Sequence, residues 1–367
     1  GYTEDLTFNR VFADPTSGDT DWLGWDDGAR DNKGDIFNGI ALAQEFAPPG
    51  AQVPLGRTGA ILAAEELDVG RDTASPKYGV GISYGNVFDL DWNDAELGFF
   101  AAGNYKNEWK QRVDGTEATY KGRKENGTFE RADDFDFEEY TNEIDASGLL
   151  NVGLAVGNST YGSNTLITRV TEDRAKVRDG FDDDSGFLSR RATIEWVERQ
   201  FFSQQITGNH LLGEDEDWTV DWQFTYSRAE REAPDRREVR YDLQGNDGIF
   251  NLQVPDISRR FDDLDDDNYD GSVNVDYLLD SDGDVEMVVS AGGQWISRDR
   301  DSDSQTYRLD GAQNFGNEDT NAPNLKVGDV LNTTTITGDA TTGYTFEEKT
   351  LASDSYDADL DLYAAYV

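Results

Sequence analysis

The chain has 367 residues and a formal net charge of -43, from 75 acidic against 32 basic side chains, which excludes nucleic acid as a bulk partner. There is no Cys and a single His, so disulfides, thiolate metal sites and His-rich centres are excluded as well. With 19 Phe, 16 Tyr, 8 Trp and 37 Gly, the composition is far from that of an acidic disordered tail.

Along the chain, apolar residues recur every second position. Tyr2 to Phe12 reads as a first strand, with Leu6 and Phe8 on one parity. A long connection follows over residues 14–77, with short helices expected at Asp35 to Ala43 and Ile61 to Leu67. Tyr78 to Leu90 alternates Tyr78, Val80, Ile82 and Tyr84 against Gly79, Gly81, Ser83 and Gly85, and turns at Asp91 to Asp94 into Leu97 to Trp109. Ile144 to Val156 and Leu166 to Val177 form a second expected hairpin. Leu188 to Ile206 and Trp218 to Arg231 form a third. Val273 to Tyr277 and Val285 to Trp295 form a fourth across Asp280 to Asp284, and Tyr356 to Val367 is the last strand.

In Trp218 to Arg231, one parity carries Trp218, Val220, Trp222, Phe224 and Tyr226, and the other carries Thr219, Asp221, Gln223, Thr225 and Ser227. Rings crowd the apolar side as they do where strands cross a bilayer interface. The connections alternate between short (91–96, 157–163, 208–217, 280–284) and long (14–77, 113–138, 232–268, 298–353), with a medium one at 179–187. Alternate connections of an up-and-down sheet lie at the same end, so one end is trimmed and the other bulky. No apolar run reaches the roughly 20 residues of a spanning helix, whereas a spanning strand needs only roughly 9 to 11. The fold class expected is therefore all-β: an antiparallel up-and-down transmembrane β-barrel segment of about ten strands, with long extracellular loops and short periplasmic turns.

Three stretches add a resemblance. DTDWLGWDDGAR (Asp19 to Arg30), YGNVFDL with ELGFFAAGNY (Tyr84 to Tyr105), and the long Leu188 to Leu243 segment, with its Gly-Asn-His turn and PDRR, resemble in order parts of the TonB-dependent receptors of Gram-negative outer membranes. The resemblance implies a larger barrel of roughly 22 strands around a plug, importing a scarce solute such as a siderophore, metal chelate or oligosaccharide with TonB-coupled energy. It carries the expectation that residues 1–367 are one partial barrel domain, lacking the plug that meets TonB and the C-terminal strands. Outer-membrane lipid and lipopolysaccharide are the expected surroundings. The family implies no catalytic residue and no cofactor.

Candidate ligand contacts are few. Trp22 and Trp25 flank Gly24 and could stack on a flat or sugar-like ligand, or pack their loop on the rim. Arg228, Arg231, Arg236 and Arg237 make the main positive cluster and suit an anionic ligand, or else pair with Glu230, Glu232, Asp235 and Glu238 beside them. DNYDGSVNVDY copies the first half of a calcium loop from Asp266 to Asp270 but has Tyr277 where a bidentate Glu belongs, so a solvated loop entering a strand is the stronger reading. His210 reads as a turn residue. Two alternatives stay open: a soluble secreted acidic β-protein binding calcium or glycan, and a passive porin.

Overall fold

The structure, a computed structural model, describes residues 6–30, 67–123, 127–243, 250–252, 256–280, 287–311, 327, 331, 335–337, 339 and 341–367. Thirteen strands are present among the described residues: β1 (Arg10–Ala13), β2 (Gly70–Thr73), β3 (Tyr78–Leu90), β4 (Ala95–Arg123), β5 (Phe129–Val156), β6 (Ser159–Asp182), β7 (Phe187–Leu212), β8 (Trp218–Leu243), β9 (Phe250–Leu252), β10 (Ser258–Asp280), β11 (Met287–Gly311), β12 (Tyr344–Glu348) and β13 (Tyr356–Tyr366). A 3-10 turn spans Asp21–Leu23. No helix among the described residues is long and apolar enough to cross a membrane.

Strands β3 to β13 form one eleven-stranded antiparallel sheet, in which nearly every strand pairs with its neighbours in sequence. The sheet is open, with β3 at one edge. At the other edge β12 and β13 follow each other along β11, against Tyr307–Gly311 and Gly292–Ser302. The fold is thus all-β and up-and-down, as the alternation requires.

Two expectations need correction. Of the strand expected over Tyr2 to Phe12, Leu6 to Asn9 form a turn with Phe8 at a φ of 64°, and β1 begins at Arg10 and pairs with β2 in a separate ribbon instead of joining the main sheet. Among the described residues the long connections at 113–138 and 232–268 are largely strand, since β4 runs 29 residues to Arg123 and β5 begins at Phe129, and the one at 298–353 begins inside β11 and contains β12. At about 3.3 Å per residue β4 reaches roughly 95 Å, several times a bilayer crossing. The distal halves of β5 and β10 do not read as strands because stretches such as Arg131 to Asp134 and Asp262 to Asp267 carry charge on both parities, which masks alternation while leaving the backbone extended. Cross-strand pairs such as Lys110 Nζ with Glu143 (2.5 Å) and Arg190 Nε with Asp179 (2.6 Å) occupy the distal part of the sheet. The medium connection is a turn, closed by Gly186 N–H donating to the Asp182 carbonyl at 2.9 Å. The helices expected at Asp35 to Ala43 and over residues 61–66, and the turn at 281–284, lie outside the described residues.

Because paired residues across a ladder share a face, the two faces can be traced across strands. Trp222 stands opposite Gly208 and Val273, Phe224 opposite Ile206 and Gly271, and Ile206 opposite Ser163, itself opposite Val152. This aromatic face carries Val80, Ile82, Tyr84, Phe99, Leu150, Ile167, Trp218, Tyr269, Val273 and Tyr363 in its proximal half, next to the short turns. The polar face carries Asn104, Asn151, Asn164, Gln205, Asp221, Thr225 and Gln294. The buried core lies on the distal half of the aromatic face, where Leu6, Val11 and Ala74 pack on Trp109 and Tyr140, and Ile144, Ala175, Ile194 and Trp196 are buried nearby.

The pairing of β5 with β6 leaves no room at Gly180, where a Cβ would lie 2.1 Å from the Asp134 carbonyl oxygen. Gly180→Ala is expected to part the two strands locally, raising amide exchange at Phe135 and Phe181 and leaving the proximal sheet unchanged.

Candidate functional site

Residues 14–30 cross the distal aromatic face as a strap. Gly24 ends its 3-10 turn in the left-handed region (φ 80°), and its carbonyl accepts hydrogen bonds from Arg169 Nε and Thr171 Oγ1, both at 2.7 Å. A side chain at that position would meet Thr171 Oγ1 at 2.9 Å and Ile144 at 3.2 Å, so the backbone can approach the sheet this closely only as glycine.

The strap is latched by buried charge. Arg30, only 1 % exposed, donates to Asp14 (3.2 Å), Asp21 (2.8 and 2.9 Å), Asp26 (3.1 Å) and the Thr16 carbonyl (2.8 Å), and its guanidinium lies 4.0 Å from the centroid of the Trp196 ring. Arg237, buried on β8, reaches Asp14 at 2.5 Å and Thr16 Oγ1 at 3.0 Å. Asp26 N–H and Trp196 Nε1 both donate to Glu198, which also pairs with Arg169. Burial alone would lower the Arg30 pKa, but the hydrogen bond to Asp21 and the charge of Asp14 hold it above its ordinary value.

Asp173 stands beneath the strap, opposite Asn142 and Trp196 on the neighbouring strands, and its Oδ1 is buried with no hydrogen-bond partner. Burial first, then the charges of Asp14 and Asp21, push its pKa from 3.8 up to about 8, against the pull of Arg30 and Arg237. Burial raises that of Asp26 too, against the opposing charge of Arg30.

The proximal polar face is an amide belt. Asn151 donates to Asn164 (2.5 Å), Asn164 to Gln205 (3.3 Å) and Gln205 to Thr225 (3.2 Å), while Gln223 and Gln294 both donate to Asp270 (3.3 and 2.8 Å). A cavity of about 570 Å³ opens on this face, lined by Asn209, Asp221, Gln223, Asn274, Gln294 and Tyr366 among others, with Asp221 its one charged side chain. Such a wall can exchange hydrogen bonds with a polar partner and carries no strong anion-binding group.

His210 is not in a turn: it lies inside β7, opposite Ser159 and Val220, and is fixed by its neighbours. Trp222 Nε1 donates to His210 Nε2 at 2.9 Å, so the proton sits on Nδ1, which faces Ser159 Oγ at 2.9 Å. With its proton aimed at the serine, the imidazole cannot act as base for that hydroxyl.

The predicted contacts do not converge. Trp22 and Trp25 lie on the strap, 58 % and 40 % exposed, on the aromatic face. Arg228 pairs with Glu230 (2.8 Å) and Asp265 (2.7 Å) on that same face. Arg231 is on the opposite face, 3.9 Å from Glu195 and 4.0 Å from Asp262, and Arg236 is 3.9 Å from Glu238. Arg237 is a buried strut under the strap. Asp266, Asn268 and Asp270 sit inside β10, with Asp266 held by Arg298 Nε at 2.7 Å, so the calcium-loop geometry is not formed there. Among the described residues no group of three or more His, Cys, Asp or Glu side chains converges as a metal site.

The latch itself went unread in sequence because Asp14 and Arg30 meet Trp196 and Arg237 across more than 160 residues of chain, with no local spacing to mark them. No protein family, curated protein or solved structure matches this chain.

Two outcomes are expected from the latch. Arg30→Met strands buried carboxylates and should weaken strap docking by about 3–5 kcal/mol, read as protease cleavage within residues 14–30. Asp173 holds its proton when docked and loses it more readily when free. Docking should therefore be strongest at acid pH and weaken progressively as pH rises from about 3.8 to about 8. Asp173→Asn should flatten this dependence.

Proposed function

We propose that this chain is wall of an outer-membrane β-barrel receptor of the TonB-dependent kind, which takes up a scarce solute with energy relayed through a plug. The observation that carries the proposal is the uncovered apolar half of the aromatic face, set against an amide belt on the other side of β5 to β8; on β13 the parity reverses, with Leu360, Leu362 and Ala364 on the belt's side. Ile82 and Tyr363 are 76 % and 75 % exposed, and Val80, Tyr84, Leu150, Ile167, Trp218, Phe224 and Val273 are exposed with them. A continuous apolar surface of this extent is not left to water in a soluble monomer.

The height of the band fits as well. On β8 it runs from Trp218 to Tyr226, after which Arg228 and Glu230 occupy the same face, close to the roughly 9 to 11 residues of a spanning strand. Near the short turns it is edged by rings, with Trp218 and Tyr277 centroids 4.4 Å apart and Tyr161 and Trp92 exposed, as a bilayer interface selects. Polar groups within the band satisfy one another: Thr165 donates to Gln204 at 2.5 Å and Gln204 to Ser163 at 3.0 Å.

On this account the amide belt faces the lumen, where a plug would supply polar partners, and the distal strands stand in the extracellular space beside lipopolysaccharide. The choice of a TonB-coupled receptor over a passive porin rests on the three sequence stretches that resemble that family. The ligand class is a small molecule or oligosaccharide, consistent with a wall of amides and hydroxyls.

Phe224→Lys in the full-length receptor should cost about 2–4 kcal/mol at mid-bilayer depth and block assembly, whereas Thr225→Lys, one residue on and facing the other way, should assemble. Heat-modifiable migration on gels of outer-membrane fractions reads both. Equal assembly of the two variants would refute the lipid-facing assignment.

A further inference from the structure

The strap has an inverted polarity. A loop in water exposes its charges and hides its rings, yet here Arg30 and Asp14 are 1 % exposed as side chains while Trp22 is 58 % and Trp25 40 % exposed. The cost of burying those charges is offset only by the close network around Arg30, and what it gains is a fixed backbone that holds two indoles outward.

The indoles sit at a definite level. The Tyr105 hydroxyl donates to the Trp22 carbonyl, and the guanidinium of Arg169 lies 4.4 Å from the centroid of Trp25. Tyr105 and Arg169 are both opposite Ala146, on one row of the aromatic face. Directly below that row stand Gly103, Gly148 and Ile167, and below those Ala101, Leu150 and Thr165, which belong to the apolar band. Trp22 and Trp25 therefore stand at the upper edge of the band, on the same face, and away from the amide belt.

We propose that residues 14–30 are an interfacial membrane anchor, with Trp22 and Trp25 seated in the headgroup layer of the outer leaflet. The proposal rests on the barrel account above and extends it: the two tryptophans complete the outer aromatic girdle on β4 to β6 and contact lipid instead of the transported solute. Indole suits that layer because its ring is apolar and its N–H needs a polar partner. The latch explains why the segment stays there, since it fixes the strap to the sheet and leaves the rings free. Arg169, stacked on Trp25 and paired with Glu198, holds the second ring at the row where the band ends.

The chain has no cysteine, so single substitutions give unique labelling sites within it. Full-length receptor in liposomes, spin-labelled at Trp22→Cys or Trp25→Cys, is compared with labels at Val220→Cys within the band and Ser185→Cys in a distal turn. The readout is collision with oxygen, which concentrates in lipid, against a water-soluble nickel chelate. The oxygen-to-nickel ratio at positions 22 and 25 is expected to be severalfold above that at 185 and below that at 220. If position 220 reads as lipid while 22 and 25 match 185, the anchor is overturned and the barrel stands. If position 220 also matches 185, the barrel account fails and the anchor fails with it. Arg30→Met placed in the Trp22→Cys background should shift position 22 toward the value at 185; an unchanged ratio would overturn the role of the latch.

Discussion

The interaction on which everything else depends is the antiparallel backbone ladder. Each interior strand of the main sheet satisfies its N–H and C=O groups against its neighbours, so the side chains on either face are free to meet quite different surroundings. Because successive residues point to opposite faces, a two-residue period in sequence becomes two unlike surfaces a few ångströms apart. Ile206, Phe224 and Val152 stand on one side while Gln205, Thr225 and Asn151 stand on the other. The period of two lets about ten residues carry an apolar face and an amide belt while interior strands keep their backbone groups paired.

Above the apolar band the ladder persists but the chemistry of both faces changes. Mixed charge takes over, and the strands continue for a further dozen or so residues on cross-strand pairs, each of which is worth little alone. What organises this distal region is the buried latch. Arg30 and Arg237 draw Asp14, Asp21 and Asp26 onto Trp196, and Asp173 remains beneath them as a buried carboxyl whose proton is linked to docking. The latch couples a segment near residue 20 to strands near 170, 196 and 237, so the covered half of the aromatic face is stabilised by long-range charge, whereas the uncovered half is suited to contact with lipid.

The proximal strands were legible in sequence because alternation there is strong: Tyr78 to Tyr84 and Trp218 to Tyr226 each announce a face. The distal strands were not, since Arg131 to Asp136 and Asp262 to Asp267 are charged at nearly every position and a period-two pattern cannot show when both parities are polar. The candidate site was legible only in part. Trp22 and Trp25 stood out as rings around a glycine, but their side of the sheet is set by Gly24 docking on Thr171, which no local pattern encodes. The arginines after Tyr226 stood out as a cluster, yet one extra residue in β8 between Glu232 and Arg237, where Asp235 adopts a φ of 62°, changes the parity and helps send Arg231 and Arg237 to opposite faces. A bulge of one residue is invisible to composition and decisive for geometry.

The central claim is that the two faces of the proximal sheet meet two different media. The most direct measurement is a position-by-position cysteine scan of β8 from Trp218 to Glu230 in liposomes, read as accessibility to a water-soluble thiol reagent. The account predicts alternation with a period of two, even positions protected and odd positions reactive through the lumen, fading at Arg228 and Glu230 where the band ends. Uniform reactivity on both faces would contradict it, because a sheet bathed in water on both sides has no lipid face to protect.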